Sequence, residues 1–371
     1  MIYFDNAATT KPSKPVLDIY NRVSGECWHN ASSEHKLGNV AKNLFTKAQQ
    51  LVFKTLNATN KNVIFTSGAT EANNIAIYGI CNKYIGTSSK IITTKVEHPS
   101  VLNCFKDLES KGFKVVYLNI LENGEIDYQQ LINELDANTV LVSIMWVNNI
   151  IGSINNINKI IEIVRKYKKV KLHIDAVQGI GKIPLSFKVD DVDLLTLSSH
   201  KIHGLKGSGC LIYQNNINLD TFLHGSNQQL SKSGTIDLAG SVASAKALEL
   251  AFKEIPSTYQ HVLKIKEYIV NELSKLDYIH LNSSLTGSPY ILNFSYKDVY
   301  SETIMHYLEE NEIYVSISSA CNDKKRKPER TVLELTKNED LALTSIRLSF
   351  SSDNTLDDAK KFIDVITKYR K

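Results

Sequence analysis

An α/β fold is what this sequence predicts: a mainly parallel seven-stranded sheet between helices, followed by a smaller α+β C-terminal domain. Two patterns carry that expectation. Seven β-branched, apolar runs punctuate residues 62–214, each closed by turn residues, and helical stretches with apolar residues at three-to-four spacing separate several of them. Runs that are apolar throughout, with no alternation, belong to a sheet buried on both faces, and alternation of strands with helices implies parallel pairing. A chain of 371 residues, 43% hydrophobic and 22% charged, has the composition of a globular protein with a large core.

In chain order the strands are "NVIFTSG" from residue 62, "KIITTKVE" from 90, "FKVVYLNI" from 113, "TVLVSIMWV" from 139, "KLHIDAVQ" from 171, "DLLTLSS" from 193 and "GCLIYQ" from 209. "EANNIAIYGICNKYI" and "INKIIEIVRKYKK" read as helices between them. "AGSVASAKALELAFKEI" reads as a long helix ended by "PSTYQ", and "HVLKIKEYIVNELSKL" as a second, amphipathic one. The remainder, "YILNFSY", "SETIMHYLEENE", "IYVSISSAC" and "TLDDAKKFIDVITKYR", is a short αβ module. The expected division is a large domain over 15–255 and a small domain made of 1–14 and 256–371.

A net charge of +4, from 43 basic and 39 acidic residues, is too mild for a nucleic-acid partner. No apolar run reaches the roughly 18 residues of a membrane span, and "MIYFDNAATTKP" lacks the basic-then-apolar order of a signal peptide. Five cysteines without paired metal-ligand spacing fit the reducing cytoplasm better than a disulfide framework. The expectation is a cytoplasmic protein with no bound metal.

In parallel sheets, sites form at the carboxyl ends of strands, and the polar clusters of this sequence fall there. Ser67, Gly68, Ala69 and Thr70 separate a strand from a helix, as an anion cup or a capped helix start would. His98 follows the next strand, where a hydrogen-bonded structural histidine is equally at home, and Asn148 and Asn149 follow "MWV", where asparagines also simply form turns. Asp175 ends an apolar strand, with Gln178 three residues on, and a carboxylate so placed needs a cationic or hydrogen-bonding partner. Ser198, Ser199, His200 and Lys201 end another. A lysine just after a core strand needs solvent or a chemical reason to be there.

Taken together these groups suit a pyridine ring that carries an aldehyde and a phosphate, which is pyridoxal 5'-phosphate. A partly desolvated lysine loses its proton and forms a Schiff base with the aldehyde. An aspartate keeps the ring nitrogen protonated, making the ring an electron sink, while hydroxyls, an imidazole and helix N–H groups hold the phosphate.

The ordered set "YFDNAATTKP", "NASSEHKLG", "FTSGATEANNIAI", "VEHPSVL", "VNNIIG", "HIDAVQGIGKIPL", "SSHKIHGLKGSG", "SGT" and "SSACN" spans nearly the whole chain and resembles the NifS/IscS-type cysteine desulfurases. These belong to the class V aminotransferase-like, fold type I pyridoxal phosphate enzymes. The resemblance implies that Lys201 binds the cofactor and shuttles protons, Asp175 pairs with the ring nitrogen and Gln178 approaches the ring hydroxyl. It implies that His98 stacks on the ring as an acid-base group and Asn149 reaches the ring or substrate. Ala69, Thr70, Ser198 and His200 would hold the phosphate, joined by Thr235 from the neighbouring subunit of a homodimer. Arg347 would clamp the carboxylate of the substrate, L-cysteine, and Cys321 would carry its sulfur as a persulfide for a sulfur-acceptor protein, in iron–sulfur cluster assembly or tRNA thiolation. Cys81, Cys104 and Cys210 read as buried and inert, and Cys27 has no clear place.

Several positions depart from the family's pattern. Lys232 stands where the family has arginine before "SGT", Ile150 where it has an acid, Ser318 where it has glycine, and His203 and Leu205 where it has "YGP". Two other readings stay open on the sequence alone. One is a selenocysteine lyase or another lyase or aminotransferase with the same cofactor. The other is a weakly catalytic paralogue acting as a binding protein.

Overall fold

The computed structural model describes residues 1–221, 223–317 and 327–370. Its strands are β1 (Ile2–Tyr3), β2 (Lys61–Thr66), β3 (Lys90–Thr94), β4 (Lys114–Leu118), β5 (Thr139–Met145), β6 (Lys171–Asp175), β7 (Leu194–Ser198) and β8 (Gly209–Gln214). Short strands β9 (Asn227–Gln229) and β10 (Lys232–Ser233) follow, then β11 (Ile279–Leu281), β12 (Ile291–Tyr296), β13 (Ile313–Tyr314), β14 (Ser316–Ile317) and β15 (Ser345–Ser349). The helices are α1 (Lys14–Glu26), α2 (Lys36–Leu56), α3 (Ala69–Cys81), α4 (Pro99–Ser110), α5 (Tyr128–Glu134) and α6 (Ile157–Val164). After them come α7 (Leu238–Leu273), α8 (Ser301–Glu310), α9 (Arg330–Thr336), α10 (Glu339–Leu343) and α11 (Leu356–Lys368).

The seven expected strands form one sheet in the order β2-β8-β7-β6-β5-β3-β4, with only β8 running against its neighbours. Continuous burial explains their composition: Leu141, Val142, Ile144, Leu172, Ile174, Leu194 and Leu195 are all sealed from solvent. Each such side chain contributes about 1.5–3 kcal/mol by leaving water. A second, antiparallel sheet has the order β11-β12-β15-β14. The first strand joins this end of the molecule, pairing in parallel with β13 through Ile2 opposite Ile313 and Tyr3 opposite Tyr314.

Two elements differ from the expectation. The helix α6 stops at Val164, and the chain continues in tighter turns in which the Tyr167 N–H donates to the Val164 carbonyl and the Val170 N–H to the Tyr167 carbonyl, at 2.9 and 3.1 Å. The two helices expected around Pro256 are one continuous helix of 36 residues. Pro256 is exposed, and the Ser257 and Thr258 hydroxyls donate to the Glu254 carbonyl beside it at 3.0 and 2.9 Å. Packing of α7 against α1, α2 and α11 overrides the roughly 3 kcal/mol by which proline disfavours a helix interior.

Candidate active site

Five strand ends converge on one cavity of about 640 Å³. The loop after β2 brings Gly68, Ala69 and Thr70, that after β3 brings His98, and that after β5 brings Asn149. Asp175 and Gln178 follow from β6, and Ser198, His200 and Lys201 from β7. Arg347, on β15, closes the cavity from the second sheet. Thr235 is exposed and does not line this cavity of its own chain. Cys321, like Ser318, lies outside the described residues.

Lys201 sits in the short turn of 3-10 helix that follows β7, and its Nζ donates to the Ala7 and Ala8 carbonyls at 2.7 and 2.6 Å. Burial, with the Arg347 cation, lowers its pKa to about 8, against the pull of Asp5 and Asp175. A substantial fraction of this amine is therefore neutral near physiological pH, as a nucleophilic lysine requires.

Asp175 is buried at the end of β6. Its Oδ2 accepts from Asn73 Nδ2 at 2.9 Å and its Oδ1 from the Val177 N–H at 3.1 Å. Burial is the larger effect and raises the pKa of this carboxyl, while the two hydrogen bonds and the nearby His98 and Lys201 pull it partly back down. Among the described residues no cation forms an ion pair with it. Gln178 is held at both ends, its Nε2 donating to the Ala7 carbonyl at 3.0 Å and its Oε1 accepting from Lys182 Nζ at 2.7 Å. Lys182 is itself buried, and burial, with Lys201 and Arg347, lowers its pKa to about 7.

The anion cup is built from backbone. Gly68 precedes α3 at φ 148°, a conformation that favours glycine, and no side chain caps the helix behind it. The first N–H groups of α3 are therefore free to meet an anion, aided by the helix dipole. A Cβ on Gly209 would come within 2.7 Å of the Leu197 carbonyl oxygen and 3.0 Å of Gly68, so glycine is what lets these loops close up. His200 Nδ1 lies 3.2 Å from Thr9 Oγ1, and burial, with Lys201, Lys182 and Lys206 nearby, lowers its pKa to about 4. It is a neutral hydrogen-bonding group here, not a cation.

Three observations test whether these residues fit a phosphorylated pyridine aldehyde. Among the described residues, Ser198 Oγ is buried without a hydrogen-bond partner, no side chain caps the α3 N-terminus, and the buried Asp175 has no counter-cation. A phosphate satisfies the first two and a ring N–H the third, so the donor set fits.

Arg347 is nine-tenths buried. One end of its guanidinium donates to the Asn149 carbonyl at 2.9 Å and the other to Asp5 at 2.8 Å, while Nε is buried and has no partner among the described residues. The departures from the family's pattern also find places. Lys232 Nζ reaches the Phe65 carbonyl at 2.9 Å and Glu71 at 3.2 Å, and Glu71 in turn accepts from the Ser67 N–H at 2.6 Å. Ile150 packs against the small apolar cluster of Ile151, Val332 and Ala342. His203 adopts φ 59° and anchors the N-terminal segment, its N–H donating to Thr10 Oγ1 at 2.8 Å.

The lysine, buried aspartate and anion cup at the carboxyl ends of one sheet define an α/β enzyme of the kind built around a pyridoxal phosphate site. Residues 2–362 match the "Aminotransferase class-V" family model, and the chain belongs to that family, in its NifS/IscS group. It is 39% identical over 98% of its length to a "NifS/IcsS protein homolog" of Lactobacillus delbrueckii subsp. bulgaricus, covering 95% of that protein. It is 34% identical to the "Cysteine desulfurase IscS" of Neisseria gonorrhoeae, covering 98% of this chain and 91% of that one. Among solved structures, a "NIFS-LIKE PROTEIN" superposes with a TM-score of 0.92 at 32% identity, covering 100% of this chain and 99% of the other. One titled "SspA in complex with cysteine" gives 0.82 at 30% identity, covering 94% of this chain and 99% of the other.

Proposed function

We propose that this enzyme is a pyridoxal phosphate-dependent L-cysteine desulfurase that yields L-alanine and a persulfide on Cys321. The convergence of Lys201, Asp175 and the anion cup on one cavity, in a chain of this family, is the observation that carries it. Pyridoxal phosphate, when bound, supplies an electron sink for charge developing at the α-carbon of an amino acid. The rest is the work of the chain. Lys201 offers a neutral amine at the cavity floor and moves protons there. Asp175, fixed by Asn73, holds a proton on the ring nitrogen. Ser198, His200, Ala69 and Thr70 bind the phosphate, Gln178 orients the ring, and Arg347 with Asn149 receives the substrate carboxylate. The thiolate of Cys321 bonds to the substrate sulfur as the substrate C–S bond breaks.

The other four cysteines support Cys321 by elimination, since Cys27, Cys81, Cys104 and Cys210 are all buried. Burial also pushes the thiols of Cys81, Cys104 and Cys210 well above the usual range. The reading extends to a cytoplasmic homodimer in which Thr235, exposed on its own chain, completes the partner's phosphate site. It extends also to a sulfur-acceptor protein that takes the persulfide onward, toward iron–sulfur clusters or tRNA thiolation. We assign residues 15–255 to the large domain and 1–14 with 256–371 to the small one; the pairing of β1 with β13 supports placing the N-terminus in the latter. The test is purified enzyme with L-cysteine and a thiol reductant. Alanine and sulfide should appear in equal amounts, and Cys321→Ser should keep the cofactor's visible spectrum yet form no persulfide. A cofactor-loaded protein that releases neither product refutes the desulfurase reading.

A further inference from the structure

Behind the cavity wall, side chains from α3 and the start of α4 form a directed chain of hydrogen bonds between His98 and Asp175. Asn73 is fully buried, and its Nδ2 donates to Asp175 Oδ2 and to Ser100 Oγ, both at 2.9 Å. Ser100 Oγ lies 2.8 Å from His98 Nδ1, and the Ser100 backbone N–H donates to that same nitrogen at 3.2 Å, so that His98 caps α4.

The directions are fixed by chemistry. A backbone N–H can only donate, so Nδ1 of His98 is an acceptor and carries no proton. A carboxylate can only accept, so Asn73 turns its amide nitrogen inward and spends both hydrogens there. Its Oδ1 is left buried and without a partner among the described residues, a cost accepted because the reverse orientation would set two oxygens against each other. Ser100 Oγ, accepting from Asn73, has its one hydrogen free for His98 Nδ1. The proton of neutral His98 is then on Nε2, which makes no hydrogen bond among the described residues while the ring lines the cavity.

We propose that Asn73 and Ser100 are positioning residues that hold His98 as the neutral Nε2–H tautomer, and so fix it as a hydrogen-bond donor toward the cavity. Through Asn73 they link that state to Asp175, whose Oδ2 accepts from the Asn73 amide. In this tautomer Nε2 has no lone pair with which to act as a base. Protonating Nδ1 would break two hydrogen bonds and set a cation against the positive end of α4. The surroundings act in the same sense. Burial lowers the His98 pKa, and the Lys201 and Arg330 cations lower it further against the opposing Asp175. The remaining acid nearby, Glu97, is fully buried and pushed up to about 8, so it is mostly neutral below that pH.

The role given to Asp175 rests on the cofactor reading above; the tautomer of His98 does not, and the test separates the two. Two-bond ¹H–¹⁵N spectra of the full chain report which ring nitrogen carries the proton, with His98 assigned by its loss in His98→Gln. They are recorded with and without pyridoxal phosphate. The wild type should show the Nε2–H form without the cofactor. In Ser100→Ala the His98 titration should move to higher pH and the second tautomer should appear, Ser100→Thr should restore the wild-type pattern, and Asn73→Ala should give a smaller shift in the same direction. An Nδ1–H tautomer in the wild type, or a Ser100→Ala titration that overlays it, overturns the proposal. The wild-type spectrum alone decides the tautomer if a variant fails to fold. Failure to bind pyridoxal phosphate would instead refute the cofactor reading and leave the tautomer assignment standing.

Discussion

Arg347 and Asp5 form a partly buried ion pair at 2.8 Å, so the cation proposed to receive a substrate carboxylate already holds one from its own chain. A substrate must share or displace Asp5, using the second N–H that each terminal nitrogen of the Arg347 guanidinium retains. Arg347→Lys keeps a positive charge but loses the planar fork that bridges two oxygens. Losing one charged hydrogen bond of about 1.5–3 kcal/mol should raise KM for cysteine roughly 10- to 100-fold. The cofactor's visible spectrum should be unchanged. A variant with wild-type KM would remove Arg347 from substrate binding.

Lys201 gives a pH dependence of definite sign. Its pKa is lowered to about 8, and only the neutral amine attacks an aldehyde, so the rate of cofactor capture should rise with pH and level off above that value. Rapid mixing of cofactor-free protein with pyridoxal phosphate across pH 6 to 9.5, roughly bracketing that midpoint, measures it. Lys201→Ala should show no such absorbance change at any pH, and its persistence would move the reactive amine elsewhere.

Lys232 stands where the family carries arginine, and here it fastens Glu71, which in turn holds the Ser67 N–H at the rim of the anion cup. Both charges are mostly shielded from water, so Lys232→Met leaves Glu71 without its cation. Cofactor affinity should fall by about 5- to 30-fold, the equivalent of 1–2 kcal/mol. Lys232→Arg should retain it. Equilibrium titration of the visible absorbance distinguishes these outcomes, and an unaffected Lys232→Met would make the pair incidental to binding.

Much of this site could be read from the sequence because the sheet does the arranging. Once the strands are placed, their carboxyl ends are adjacent by topology, and Gly68, His98, Asp175 and Lys201 come together with no further information. Groups outside that rule were missed. Asp5, Ala7 and Ala8 lie in "YFDNAATTKP", which carried a family resemblance but no sign of its contacts, and their partners lie hundreds of residues away. Asn73 did leave a trace, as an amide among the apolar positions of α3, a place where burial demands partners. Pro256 misled in the opposite direction, because local propensity marks a break that tertiary packing on both sides cancels.

The pairing of Ile2 with Ile313 also sets an order in time. A ribosome adding roughly 5–20 residues per second exposes the first strand tens of seconds before its partner exists. Throughout that interval Lys201, once made, can have its carbonyl acceptors nearby only if the N-terminal segment has found His200 unaided, through the Thr10 contacts at 2.9 Å. Asp5 must wait longer still, until Arg347 emerges. The nascent chain therefore cannot assemble its substrate-binding corner before Arg347 has been made.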